Sequence, residues 1–100
     1  MPNIYKIRWT TEANRNLIDI EEYLINKWSE KVAKSFFKKL DSRLEIISRR
    51  PLVFPATQHS QHLRRCVLTK QTTIYYLVKS KYVEVISIFD TRQTPDRNPE

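Results

Sequence analysis

One hundred residues suffice for one modest core, and a composition of 40% hydrophobic and 29% charged residues is that of a soluble globular domain. With no glycine, the Gly-rich phosphate cradles and dinucleotide fingerprints are excluded, and one Cys with two His (His59 and His62) falls short of a four-ligand zinc site, so neither cofactor nor metal is expected. The net charge of +7, split +4 and +3 between the two halves, suggests an anionic partner, nucleic acid or an acidic protein, unless it serves solubility alone.

From the N-terminus, NIYKIRW alternates Ile4, Lys6 and Arg8 against Tyr5, Ile7 and Trp9, which predicts a short strand over residues 3–9 with one apolar face. The opening stretch lacks the apolar core of a signal peptide. No apolar run approaches the roughly 18 residues of a membrane span, so a cytoplasmic chain without membrane contact is expected. A lone Cys66 agrees with a reducing compartment.

Thr10 and Thr11 are N-cap residues ahead of Glu12, which suits the positive end of a helix dipole. Ala13, Leu17, Ile20, Leu24 and Trp28 then recur at steps of three and four, predicting a helix over 11–27 with that stripe in the core. Ser29 caps a second helix whose stripe is Ala33, Phe36, Phe37, Leu40, Leu44 and Ile47, and Pro51 ends it because proline disfavours helical geometry at the preceding residue. So short a connection makes the pair an antiparallel hairpin.

Residues 51–61 hold two prolines and no helical period and read as a surface loop. From Leu63 to Phe89 come three runs rich in Val, Ile, Thr, Tyr and Phe, parted by Lys70-Gln71 and by Lys79-Ser80-Lys81, and breaks this short permit only antiparallel neighbours. The last stretch, 90–100, is polar and proline-bearing and reads as a tail, with 93–100 the part expected to be flexible. The predicted architecture is a single two-layer α+β domain spanning 1–100: an N-terminal strand, then a helical hairpin packed on a three-stranded antiparallel meander, in the order βααβββ.

Candidate functional residues cluster around the meander. Arg64 and Arg65 occupy adjacent strand positions and point to opposite faces; a buried arginine needs a paired acid, so Arg65 is placed near an open edge or groove. It either blunts an edge strand as a solvated charge or, with Arg92, holds a phosphate or carboxylate in one positive concavity. Asp90 and Arg92 alternatively pin the tail by hydrogen bonds. Of Tyr75 and Tyr76, one faces the helices and the other the open side, where a tyrosine beside arginines stacks on a base or simply completes a half-covered sheet. Tyr5, Tyr23 and Tyr82 read as packing residues and Cys66 as core. His59 and His62 lie in or beside the loop, where histidine serves as an acid or base in a minority of cases.

The order of elements and six local pieces resemble the RelE/ParE superfamily of bacterial toxin–antitoxin toxins. The pieces are WTTEANRNLIDIEEYL, WSEKVAKSFFKKL, RRP, LRR, TIYYLV and VEVISIFDTRQTP, spanning about Ile4 to Pro95. The resemblance implies a toxin of the plasmid-stabilising kind, neutralised by an antitoxin whose acidic C-terminal segment wraps it, often in the groove between helices and sheet. In the RelE-like branch such proteins cut messenger RNA in the ribosomal A site, with arginines, lysines and a tyrosine or histidine acting on the phosphodiester. The ParE-like branch poisons DNA gyrase and has no established catalysis of its own.

By this resemblance Arg65 and Arg92 match basic positions at the two ends of the meander, and with Arg64 and His62 they are the expected target- or antitoxin-binding residues. Arg65, Arg92 and Tyr75 would be the catalytic set of a ribonuclease. Thr73, however, falls about where the RNA-cutting branch carries an arginine, and DTRQTP replaces that branch's terminal tyrosine or histidine. Losing the arginine removes a stabiliser of the pentavalent phosphate worth roughly several kcal/mol in comparable sites. The expectation is therefore a ParE-like, non-enzymatic gyrase toxin; a ribosome-dependent ribonuclease and a non-toxic nucleic-acid-binding module are the alternatives.

Overall fold

The computed structural model describes residues 4–91. The expected order of elements is observed: β1 (Lys6–Trp9), α1 (Thr11–Lys27), α2 (Glu30–Arg49), β2 (Leu63–Val67), β3 (Thr72–Val78) and β4 (Tyr82–Asp90). β2, β3 and β4 form the antiparallel meander, and β1 adds to its far side in parallel with β4, giving a four-stranded sheet of order β1-β4-β3-β2.

Both helices start where a hydroxyl side chain accepts from the first turn: Thr10 Oγ1 from the Ala13 N–H at 3.0 Å and Ser29 Oγ from the Val32 N–H at 3.1 Å. Each carries an acid in its first turn and a base in its last, as the helix dipole favours. Their stripes bury Ala13, Ile20 and Leu24 from α1 and Ala33, Phe36, Leu40 and Ile47 from α2. Against them the sheet places Cys66, Ile74, Tyr76, Val83, Val85 and Ile88. Trp28, expected in that stripe, is instead 60% exposed. α1 ends at Lys27, and the Trp28 and Ser29 N–H groups both fold back onto the Leu24 carbonyl, so the indole leaves the helical period at the hairpin tip.

The layers are joined by hydrogen bonds at three places. Thr10 Oγ1 donates to the Ile86 carbonyl at 2.8 Å, and the Ile88 N–H donates to Asn16 Oδ1 at 3.0 Å. These serve a β-bulge: Tyr76 is opposite Val85 but Tyr75 is opposite Ser87, so Ile86 is the extra residue, and α1 supplies partners the ladder cannot. At the other end Ser48 and Tyr5 exchange two bonds, of 2.9 and 2.8 Å, tying α2 to the start of β1. Between them the Tyr76 hydroxyl donates to the Pro51 carbonyl at 2.7 Å, inside the core.

Among the described residues no φ is positive, so this glycine-free chain makes its turns without the left-handed region. In the β2–β3 turn Thr69 Oγ1 does the organising, accepting from the Gln71 and Thr72 N–H groups at 3.1 Å each. Asp90, assigned to the tail by sequence, is the last residue of β4 and is buried, accepting a 2.7 Å bond from the Thr72 hydroxyl. Its register partner is that same Thr72, so strand pairing carries the carboxylate inward.

Candidate functional site

Pairing across the open face of the sheet sets Arg65 opposite Tyr75 and Tyr75 opposite Ser87. Arg65 is exposed and Tyr75 half-buried, while the next residue on each strand turns inward by the pleat. Tyr76 is therefore the tyrosine under the helices, fully buried, and Tyr75 the one on the open side.

The 51–62 loop builds a wall beside this row. It returns along the outer edge of β2: the Arg65 N–H donates to the Pro55 carbonyl at 3.1 Å and the Thr57 N–H to the Leu63 carbonyl at 2.8 Å, with an antiparallel bridge between Ala56 and Arg64. The edge that Arg65 was expected to blunt is thus largely covered by the chain's own backbone. Between loop and sheet lies a hollow of about 250 Å³ lined by Thr57, Gln58, His59, Arg65 and Tyr75.

Arg64 takes the opposite direction, and among the described residues no acid pairs with it. Its Nε donates to the Gln61 carbonyl at 2.8 Å, and its Nη1 to the carbonyls of Phe54 and Leu52 at 2.9 and 3.2 Å. A planar guanidinium fits three converging carbonyls as well as it fits a carboxylate. Arg64 thereby ties both limbs of the loop to β2.

Of the two histidines, His59 reaches the hollow and His62 does not. His62 stands exposed before β2, its carbonyl accepting from the Val78 N–H at 2.9 Å. Each histidine N–H is held by a hydroxyl two residues earlier, His59 by Thr57 and His62 by Ser60. Equal local signals left the pairing register to decide between them. Arg92 lies outside the described residues.

The hollow gathers a guanidinium and a phenol from the sheet and an imidazole and a hydroxyl from the loop, a set suited to an oxyanion. Further along the open face the row is Val67, Thr73 and Phe89, with no cation. Toward β1, Arg8 lies 4.4 Å from the centroid of the Tyr82 ring, a cation–π stack on the open side. Tyr82 is thus packed, as expected, but under an arginine rather than in the core. Behind the sheet, burial raises the pKa of Cys66 against the opposing influence of Arg43. It raises that of Tyr76 further, with help from Cys66 and against Arg64. Cys66 is therefore a protonated core thiol, fully buried and without the accessible setting of a nucleophile.

No curated protein matches this sequence. Among solved structures, the fold is similar to a chain of the chromosomal ParDE toxin–antitoxin system from P. aeruginosa, with a TM-score of 0.72 at 13% identity, covering 87% of this chain and 96% of that one. A chain of the E. coli DinJ–YafQ toxin–antitoxin complex gives 0.62 at 9% identity, with 90% and 96% covered. A conserved hypothetical protein from Helicobacter pylori gives 0.56 at 14%, with 89% and 97% covered. These likenesses establish the fold. The sequence itself matches the family model of the ParE toxin of the type II toxin–antitoxin system parDE over residues 7–95, from β1 to beyond β4, and the chain belongs to that family.

Proposed function

We propose that this chain is a non-catalytic toxin that acts in the cytoplasm by inhibiting DNA gyrase and is silenced by a cognate antitoxin with an acidic C-terminal segment. Membership of a toxin–antitoxin family implies the antitoxin, and the +7 charge supports an acidic segment as what it presents. The observation that carries the non-catalytic reading is the composition of the open face. Next to the Arg65–Tyr75 row stands Val67–Thr73–Phe89, so among the described residues of that pair of rows one guanidinium alone would face a phosphodiester. Phosphoryl-type transition states are stabilised chiefly by fixed positive charge, and a second cation is worth about several kcal/mol in such sites. The test is a supercoiling assay with purified gyrase, in which the toxin is expected to inhibit and to accumulate cleaved DNA. Unimpaired supercoiling at large toxin excess refutes the reading.

One observation favours a ribosome-dependent ribonuclease instead: Arg65, Tyr75 and His59 do meet in a single hollow. That reading expects codon-positioned cuts by primer extension on a translated message, abolished by Arg65→Ala and strongly reduced by Tyr75→Phe. Absence of cuts on stalled ribosomes removes it.

A further inference from the structure

The side of the α1–α2 hairpin away from the sheet carries an open groove of about 730 Å³ whose walls hold six charges, Glu21, Glu30 and Asp41 against Lys31, Lys34 and Lys38. None of the six makes an ion pair with another described residue; the ion pair recorded between described side chains, Arg49 with Glu45, lies elsewhere. Ile25 lines the groove and is 40% exposed, with Ile18 and Trp28 exposed nearby on the same helix and at its end. The charge is also divided by element. α1 has four acids and two bases and so carries −2, while α2 has three acids and six bases and carries +3.

We propose that this face joins two copies of the chain about a two-fold axis running parallel to the helices. Such an axis exchanges left for right while keeping height along the helices, so the acidic α1 of each copy lies over the basic α2 of the other. The hairpin fixes the register. α1 ends at Lys27 and α2 begins at Glu30, so residues equally far from the connection are level. Glu21 then sits level with the stretch between Lys34 and Lys38 and faces those two lysines of the second copy. The groove's own six charges sum to zero, so the whole +7 resides elsewhere on the molecule, and two copies meeting here bring no net like charge together at the contact. A uniformly acidic segment or a nucleic acid would gain little here, because Glu21, Glu30 and Asp41 oppose it. The proposal is independent of which target the toxin attacks.

The test is sedimentation velocity on the purified full chain across a wide concentration range, with Glu21→Lys, Lys34→Glu and an equimolar mixture of the two variants. A reversible dimer that weakens as salt is raised is expected. Each single reversal places like charges together and weakens it about tenfold or more. The mixture restores association, because the reversed lysine of one copy then meets the reversed glutamate of the other, and that rescue excludes misfolding as the cause of the losses. A chain monomeric at every concentration overturns the proposal, as do variants that associate like the native chain or a mixture that stays monomeric. It is equally overturned if the two reversals leave self-association unchanged and abolish antitoxin binding, which would assign the face to the antitoxin.

Discussion

At the scale of single residues, two side chains do more than their types suggest. Tyr76 is a core tyrosine whose hydroxyl has the Pro51 carbonyl as its partner, and that carbonyl marks where α2 gives way to the loop. Tyr76→Phe keeps the ring and leaves a buried acceptor unpaired, an expected loss of about 1–3 kcal/mol, read from the urea midpoint at constant slope. The same residue sets an alkaline limit. Its pKa and that of Cys66 are raised in the fold above their ordinary 10.0 and 9.0, so the unfolded chain gives up these protons first. Their stabilising contribution is complete below about pH 9 and declines as pH rises beyond that. Stability followed from pH 8 to 11 should fall on the alkaline side with a slope that Tyr76→Phe makes shallower. Arg64 is the second case. Arg64→Ala removes the donors of three carbonyls, and amide hydrogen exchange across residues 52–61 should rise sharply while exchange in β3 and β4 stays slow. Arg64→Lys is expected to rescue little, since an ammonium on a flexible stem does not reproduce the planar fork.

At the scale of elements, the joint between α1 and β4 organises the molecule. Thr10 both caps α1 and donates to the bulge at Ile86, and Asn16, nearly two turns on, takes the Ile88 N–H. Thr10→Ala therefore loses a cap and an interlayer bond together, and a cost of about 2 kcal/mol, at the upper end for an N-cap, is expected in equilibrium denaturation. Ser29→Ala, which loses only an exposed cap, is expected to cost about half as much. The elements themselves were legible in the sequence because each rests on local signals: hydroxyl caps, acids in first turns, a proline stop and apolar spacings of three and four. Trp28 and Asp90 were misassigned because both sit at element ends, where periodicity and composition cease to report on burial.

On the scale of the whole molecule, β1 is distant in sequence from its neighbour and necessary to it. It pairs with β4 in parallel from Lys6↔Tyr82 to Trp9↔Val85 and brings Ile7 and Trp9 against the core. Removing residues 1–9 should therefore abolish cooperative unfolding, as judged by a broad thermal transition and collapsed amide dispersion, rather than trim a dispensable end. The loss would also lay open one edge of the long β4 strand, a template for aggregation.

Sequence alone determined the βααβββ order, the hairpin, the meander, the inward and outward tyrosines as a pair, and the resemblance that the family match bears out. All of these depend on short-range periodicity, capping and turn chemistry, or on motifs in a fixed order. Tertiary structure decided which tyrosine faces outward, which histidine joins Arg65, that Arg64 binds its own loop, and that β1 lies beside β4. Those outcomes depend on register between segments far apart in the chain, where a shift of one residue sends every side chain to the other face.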